Sequence, residues 1–82
     1  MHSTFLLDRI VIDAEILAGK PIIKGTRLSV QYILGLMASG ATTDEILSEY
    51  TKLTYEDILA CLLFASKTLD SNTFIPLDKK TA

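Results

Sequence analysis

Carboxylates are the side chains of this sequence best suited to chemistry, and their placement predicts no catalytic site. They fall near the N-terminus and in segments that read as helices: Asp8, Asp13, Glu15, Glu45, Glu49, Glu56 and Asp57. General acid–base catalysis needs a cleft that shifts the pKa of such groups, and a helical chain of 82 residues offers little depth for one. We therefore expect these carboxylates to form solvated helix surface and helix caps, and we expect no enzyme activity.

The sequence also has few residues that could serve in nucleophilic catalysis or metal binding. The one histidine, His2, lies next to the chain end, so no base is placed to activate a nucleophile. One histidine and one cysteine are too few for a zinc site, and Cys61 alone forms no disulfide within the chain. Cys61 stands in an apolar segment, where we expect a small core residue. The sequence predicts no metal, no cofactor and a reducing, cytoplasmic setting.

The composition is that of one small globular domain. Apolar residues make up 49% of the chain and charged residues 22%, and the net charge is −2. The longest purely apolar run, residues 58–65, is far shorter than the roughly 20 residues of a bilayer span, so no membrane partner is expected. Residues 1–40 hold four basic and three acidic side chains, whereas residues 41–82 hold four and seven. Only the first half can present a positive face.

Two short extended segments precede a helical region. Residues 9–12 are rich in β-branched side chains, and Ile22 and Ile23 form a second β-prone pair. Between them, Gly19-Lys20-Pro21 is a turn signal. We expect residues 1–28 to form an N-terminal extended arm with short strands or a hairpin.

Three helices are predicted after the arm. Ser29 can cap the first and Gly40 can end it, while Thr42-x-x-Glu45 is a capping box for the second. Gly35 lies inside the first helix, where glycine costs about 1 kcal/mol relative to alanine. Either a neighbouring backbone approaches it closely, which we favour, or the helix tolerates the cost. The third helix starts at Thr54. These helices predict a mostly α fold with a three-helix, helix-turn-helix core at 29–69, followed by a flexible tail at 70–82.

The third helix carries more apolar surface than one face can hold. Either it is a central helix covered by its neighbours, or one flank is a subunit interface. A small domain has a thin core, so we expect a homo-oligomer. The candidate interface residues are Leu59, Leu63 and Phe64.

One segment and several later positions carry a family resemblance. The segment is residues 20–27, KPIIKGTR, followed by Val30; the later positions are Gly40, Glu45, Ile46, Tyr50, Leu53, Thr54, Asp57 and Ile58. Together they closely resemble domain-of-unknown-function family 433 over about residues 9–66. This chain has Ser29 and Tyr55 where the family often has proline, and neither position is among the candidate site residues named from the sequence.

The resemblance implies a homeodomain-like core and a VapB-like antitoxin. Such a protein would bind and neutralise a PIN-like ribonuclease toxin, and would repress their shared operon if it also binds DNA. Antitoxins of this kind commonly use C-terminal segments, so Phe74, Ile75 and Leu77 are the candidate toxin contacts. The alternative for this segment is a frayed end.

Contact with DNA is the alternative function, and its candidate residues are the basic side chains of the arm: Arg9, Lys20, Lys24 and Arg27. Lysines beside strands are commonly solvated edge residues. The planar guanidinium of Arg27 suits a phosphate or a partner carboxylate, but it can equally fix the strand-to-helix junction by donating to backbone carbonyls.

The first turn of the last helix argues against base reading. In a helix-turn-helix this turn reads base edges, yet here it holds Glu56 and Asp57 and has no Arg, Lys, Asn or Gln. We therefore predict a helix-turn-helix shape that does not read DNA bases, and we expect any DNA contact to come from the basic arm. The hypotheses are an antitoxin, a DNA-binding repressor using the basic arm, and a non-catalytic oligomeric scaffold.

Overall fold

Helices dominate residues 3–71, the part of the chain that the computed structural model describes. In chain order the elements are α1 (Ser3–Leu7), β1 (Ile10–Ile12), β2 (Pro21–Ile23), α2 (Val30–Ala38), α3 (Thr43–Glu49) and α4 (Tyr55–Ser71). The prediction of a mostly helical small domain with a hairpin before its main helices is confirmed. None of these helices combines the length and the apolar character that a bilayer span needs.

The two strands form an antiparallel hairpin that belongs to the core. Ile10 pairs with Ile23, and Val11 pairs with Ile22. The side chains of Ile22 and Ile23 are each only 1% exposed, so β2 is buried although its sheet has two strands. The hairpin is therefore not a free arm, because a two-stranded sheet of this length is stable only when it packs against helices.

Helix α1 is a difference from the prediction, which treated this segment as extended. It has five residues and packs against α4. An isolated helix of one turn is unstable in water, so its local sequence gives no strong helix signal. The packing of α1 against the long helix α4 decides its conformation.

The ends of α2 and α3 follow the predicted capping chemistry. Ser29 Oγ accepts from the backbone N–H of Tyr32 at 2.9 Å. Thr42 and Glu45 form the reciprocal capping box, with bonds of 2.8 and 3.1 Å. Gly40 follows the last turn of α2 with φ +107°, a backbone conformation that disfavours residues with a Cβ. All three predictions are confirmed.

The core lies where α4 meets the other elements. Helix α4 contacts α1, α2, α3 and β1. The buried side chains that form the core cluster are Ile23, Val30, Ile33, Ile46, Leu53, Ile58 and Cys61. Cys61 is fully buried, as expected of a small core residue.

Candidate functional site

Arg9, the first of the candidate DNA contacts, is held by the start of α4. Its Nη1 lies 3.1 Å from Asp57 Oδ1 and 3.5 Å from Thr54 Oγ1. Asp57 is only 7% exposed, so its carboxylate is largely withdrawn from water and needs a charged or hydrogen-bonding partner. The guanidinium of Arg9 is therefore engaged by a buried carboxylate, although 41% of the Arg9 side chain stays exposed.

Asp57 also caps α4, together with Thr54. The backbone N–H of Thr54 donates to Asp57 Oδ2 at 2.9 Å, and the backbone N–H of Asp57 donates to Thr54 Oγ1 at 3.3 Å. The spacing Thr54-x-x-Asp57 matches that of a capping box and could have revealed this pair from the sequence. Nothing local could have revealed the partner Arg9, which is 48 positions away.

The other basic candidates, Lys20, Lys24 and Arg27, have exposed side chains. Among the described residues these three side chains have no hydrogen-bond or ion-pair partner. The junction bonds expected as one role of Arg27 are made by Thr26 instead. Thr26 Oγ1 donates to the carbonyl of Ile23 at 2.8 Å and accepts from the N–H of Leu28 at 3.0 Å. Arg27 is thus left with a free guanidinium beside a fixed backbone.

A cavity of about 800 Å³, the Gly35 groove, lies between α2 and the turn before β2, a short 3-10 segment at Leu17–Gly19. Its apolar walls come from Leu17, Ala18, Leu28 and Leu36, and Lys20 and Arg27 are also among its lining residues. Leu17 is 40% exposed, so the cavity is a groove that is open to solvent on the side of this residue. The fold thus places two unpaired cations beside an apolar depression.

Gly35 forms part of this groove, and its surroundings differ from the prediction. We expected a neighbouring backbone to pack closely against it. A Cβ built on Gly35 instead meets no atom within 4 Å outside its own helix. Because glycine costs about 1 kcal/mol relative to alanine in a helix, the fold of the described residues gives no packing reason for this residue.

A second cavity, of about 630 Å³, shares Arg27 and Leu28 with the Gly35 groove and includes Lys52 and Tyr50. The hydroxyl of Tyr50 is hydrogen-bonded to that of Tyr32, which lines the Gly35 groove, and the two rings meet edge to face. This hydrogen bond raises the pKa of Tyr50 above its usual value. The tyrosine pair ties α2 to the end of α3 between the two cavities.

The outer side of α4 carries a stripe of exposed apolar side chains. Tyr55, Leu62 and Leu69 follow at intervals of seven residues and are 54%, 42% and 64% exposed. We call these three residues the α4 stripe. A third cavity, of about 360 Å³, is lined by Leu69 of α4 and Leu34 of α2.

The predicted interface residues lie deeper than the α4 stripe. Leu59, Leu63 and Phe64 are all partly buried, and Phe64 packs against the core. Their assignment to an oligomer interface stays a prediction. The sequence indicated an apolar surplus on α4, but its periodicity did not separate these residues from the more exposed Leu62 and Leu69, because apolar side chains occur around most of the helix circumference.

Several of the groups that the sequence offered for chemistry have clear surroundings in the described part of the chain. Burial raises the pKa of the Cys61 thiol to about 11, so it is neutral at physiological pH and a poor nucleophile. Glu45 and Asp57 serve as helix caps, and Glu56 is exposed. In residues 3–71 no three metal-binding side chains lie together.

The candidate toxin contacts Phe74, Ile75 and Leu77 lie outside the described residues. Their role stays a prediction from the sequence. The last described residues, Asp70 and Ser71, belong to α4 and not to the predicted tail.

Comparison with known proteins supports the fold and the family. No curated protein matches the chain at a significant level. A crystal structure of a DUF433 member protein from Anabaena variabilis superimposes with a TM-score of 0.74 and 27% sequence identity. The match covers 82% of this chain and 66% of that one, so this chain spans just under two thirds of the length of that protein.

The family model described as "Protein of unknown function (DUF433)" matches residues 10–65. This segment holds both strands, α2, α3 and most of α4, so it covers the hairpin and most of the core. Since the match extends over more than half of the sequence, the chain belongs to the DUF433 family.

Proposed function

We propose that this chain is a non-catalytic protein-binding module that acts as the antitoxin of a type II toxin–antitoxin pair and neutralises a PIN-like ribonuclease. The observation that carries the protein-binding part is the α4 stripe. The toxin partner is what the antitoxin-like resemblance of the sequence implies. A homeodomain-like arrangement of α2, α3 and α4 belongs to the same proposal.

The α4 stripe has the geometry of a protein contact. An interval of seven residues is two helical turns, so Tyr55, Leu62 and Leu69 lie along one line of the helix. Exposed apolar side chains that are scattered singly need no explanation, but an aligned row on one helix favours a partner surface. A partner helix or groove would remove these side chains from water, which stabilises the complex by about 25 cal/mol per Å² of apolar surface.

Charge favours a protein partner over DNA. Arg9 is paired with Asp57, which removes one of the four cations of the basic arm. The first turn of α3 carries Asp44 and Glu45, and that of α4 carries Glu56. Carboxylates at the starts of both helices of the pair would repel a phosphate backbone.

The test is to purify the tagged full chain from its native host and identify the proteins that stay bound. The proposal expects a small ribonuclease at fixed stoichiometry, whose expression alone arrests growth and whose co-expression with this chain does not. Leu62→Glu and Leu69→Glu should abolish the protection, because a charge would then be buried in the interface.

Ser48→Glu is the matched control, because it adds the same charge at an exposed position of α3. This variant should protect as well as the native chain. Loss of protection in it as well would indicate a general effect of charge. Absence of any nuclease from the bound material would refute the antitoxin assignment.

A DNA-binding repressor is the second candidate, supported by the side chains of Lys20, Lys24 and Arg27, which have no partner within residues 3–71. Affinity for the promoter DNA of its own operon should then fall steeply with salt, because each phosphate contact releases a counterion. Arg27→Gln should reduce that salt slope by about one. If neither DNA nor a nuclease binds and only self-association is observed, the oligomeric scaffold is the remaining hypothesis.

A further inference from the structure

We propose that the Gly35 groove is a second binding site, which receives an extended peptide segment of a partner protein carrying apolar side chains next to a carboxylate. The groove contains no residue of α4, so the inference does not rest on the antitoxin proposal or on the α4 stripe. It rests on Gly35, on the turn before β2 and on two unpaired cations.

Gly35 is the first of these observations. Glycine in a helix interior weakens the helix, and a residue with a Cβ fits this position because nothing lies within 4 Å of the place that the atom would take. The fold of residues 3–71 therefore gives no packing reason for glycine here. An occupant of the groove does give one, because the bare backbone of α2 lets a bound chain approach more closely than any side chain would allow.

The second observation is the left-handed backbone at the rim. Leu17 and Ala18 have φ values of +50° and +57°, which residues with a Cβ seldom adopt. Both line the groove, and Leu17 keeps 40% of its surface exposed. Strained backbone concentrates where a protein shapes a binding surface, and here it holds an apolar side chain at the edge of the depression.

The cations define the chemistry of the occupant. Lys20 and Arg27 line the groove, and neither side chain has an ion-pair or hydrogen-bond partner in the described part of the chain. A guanidinium forms paired, planar hydrogen bonds with a carboxylate. Apolar walls flanked by two free cations thus complement a segment with apolar side chains and an adjacent Asp or Glu.

The open shape favours a peptide over a small molecule. Small-molecule sites surround most of the ligand surface, whereas this groove leaves Tyr32 44% exposed and Leu17 40% exposed. An extended segment needs contact along one side only. The hydrogen bond between Tyr32 and Tyr50 holds that wall in place before anything binds.

The test uses a phage-displayed library of random twelve-residue peptides, selected on the immobilised full chain. We expect enriched peptides that combine apolar residues with Asp or Glu. Synthetic copies should bind Gly35→Ala at least tenfold more weakly and Gly35→Leu not at all. The same Gly35→Ala variant should unfold at a higher urea concentration than the native chain, so lost binding cannot be attributed to lost folding.

Charge variants provide the matched comparison. Arg27→Gln should weaken the selected peptides at least fivefold, whereas Lys24→Gln removes the same charge outside the groove and should leave their affinity unchanged.

The inference would be overturned by no enrichment over a blank surface, by enriched peptides without carboxylates, or by equal binding to the native and Gly35→Ala chains. A synthetic peptide of residues 70–82 that displaced the selected peptides would also overturn it, because the occupant would then be the chain's own C-terminal segment.

Discussion

Arg9 and Arg27 stand on either side of the hairpin, and the structure uses them in opposite ways. Arg9 lies before β1 and pairs with the buried carboxylate of Asp57. Arg27 lies after β2, and its guanidinium has no partner among the described residues. The sequence placed both among the candidate cations of one basic arm, yet Arg9 stabilises the fold and Arg27 has no partner in the described part of the chain.

The difference shows that a count of basic residues does not describe the surface that a partner meets. Three of the four candidate cations of the arm have no partner where the structure describes the chain, and two of these line the Gly35 groove. The pairing of Arg9 follows from the position of α4, which brings a buried carboxylate to the start of β1. Arg27 has no such acceptor in the described residues, and the hydrogen bonds of its turn are made by Thr26.

The largest expected effect is at the acceptor of the paired arginine. Asp57→Ala removes both the ion pair and the cap of α4, and should lower the free energy of unfolding by about 2–3 kcal/mol. Urea denaturation measures this change. Glu56→Ala, at the exposed neighbouring position, should change it by less than about 0.5 kcal/mol. Equal losses in the two variants would contradict the assigned role of Asp57.

The junction beside Arg27 gives the next effect. Thr26→Val keeps the shape of the side chain and removes its two hydrogen bonds, which should cost about 1–2 kcal/mol of unfolding free energy. Thermal and urea unfolding would both report it. A neutral result would mean that Thr26 does not hold the turn, and Arg27 would again become the candidate for that role.

Direct comparison of the two arginines should give a smaller difference. Arg9→Met should cost about 1 kcal/mol, because Asp57 loses its charged partner but keeps its backbone donor, whereas Arg27→Met should stay within about 0.5 kcal/mol. In a double-mutant cycle with Asp57→Ala, only Arg9 should show a coupling energy. If Arg27 showed a coupling energy with Asp57 as large as that of Arg9, the contrast between the two arginines would be contradicted.

The smallest expected effect concerns the pKa of the Cys61 thiol, which lies one helical turn after Asp57 in α4. Burial, and secondarily the charge of Asp57, raises the pKa of Cys61 from 9.0 to about 11. The folded state holds this proton more tightly than the unfolded state. The resulting stabilisation is therefore complete below pH 9 and is lost as the pH rises through 11.

Ultraviolet thiolate absorbance, followed against pH, measures that titration. The native midpoint should lie near 11, and Asp57→Asn should lower it because a negative charge is removed. Arg27→Gln should leave it unchanged. If the midpoint shifts in both variants, the pKa of Cys61 responds to the overall charge of the protein and not specifically to Asp57.

Much of the local structure was predictable. The caps at Ser29 and at Thr42 with Glu45 are bonds between residues three positions apart, and the left-handed position of Gly40 follows from its missing Cβ. The hairpin followed from β-branched residues on either side of a turn signal. The cap of Thr54 by Asp57 was within reach of the same reasoning, since its spacing is the same.

The candidate sites were less predictable. Sequence periodicity indicated the apolar surplus of α4, but it named Leu59, Leu63 and Phe64, which are partly buried. It could not show that Leu62 and Leu69 are more exposed, because exposure depends on how α1, α2 and α3 cover the helix. It also predicted a close neighbour for Gly35 where the structure has open space.

The sequence by itself determined the hairpin, the boundaries of α2 and α3 and the family membership, because hydrogen bonds over a few residues and a short motif specify them. The tertiary structure decided the conformation of α1, the capture of Arg9 by Asp57 and the opening beside Gly35. Each of these depends on segments far apart in the chain. Their meeting is set by helix packing, which no local pattern of residues encodes.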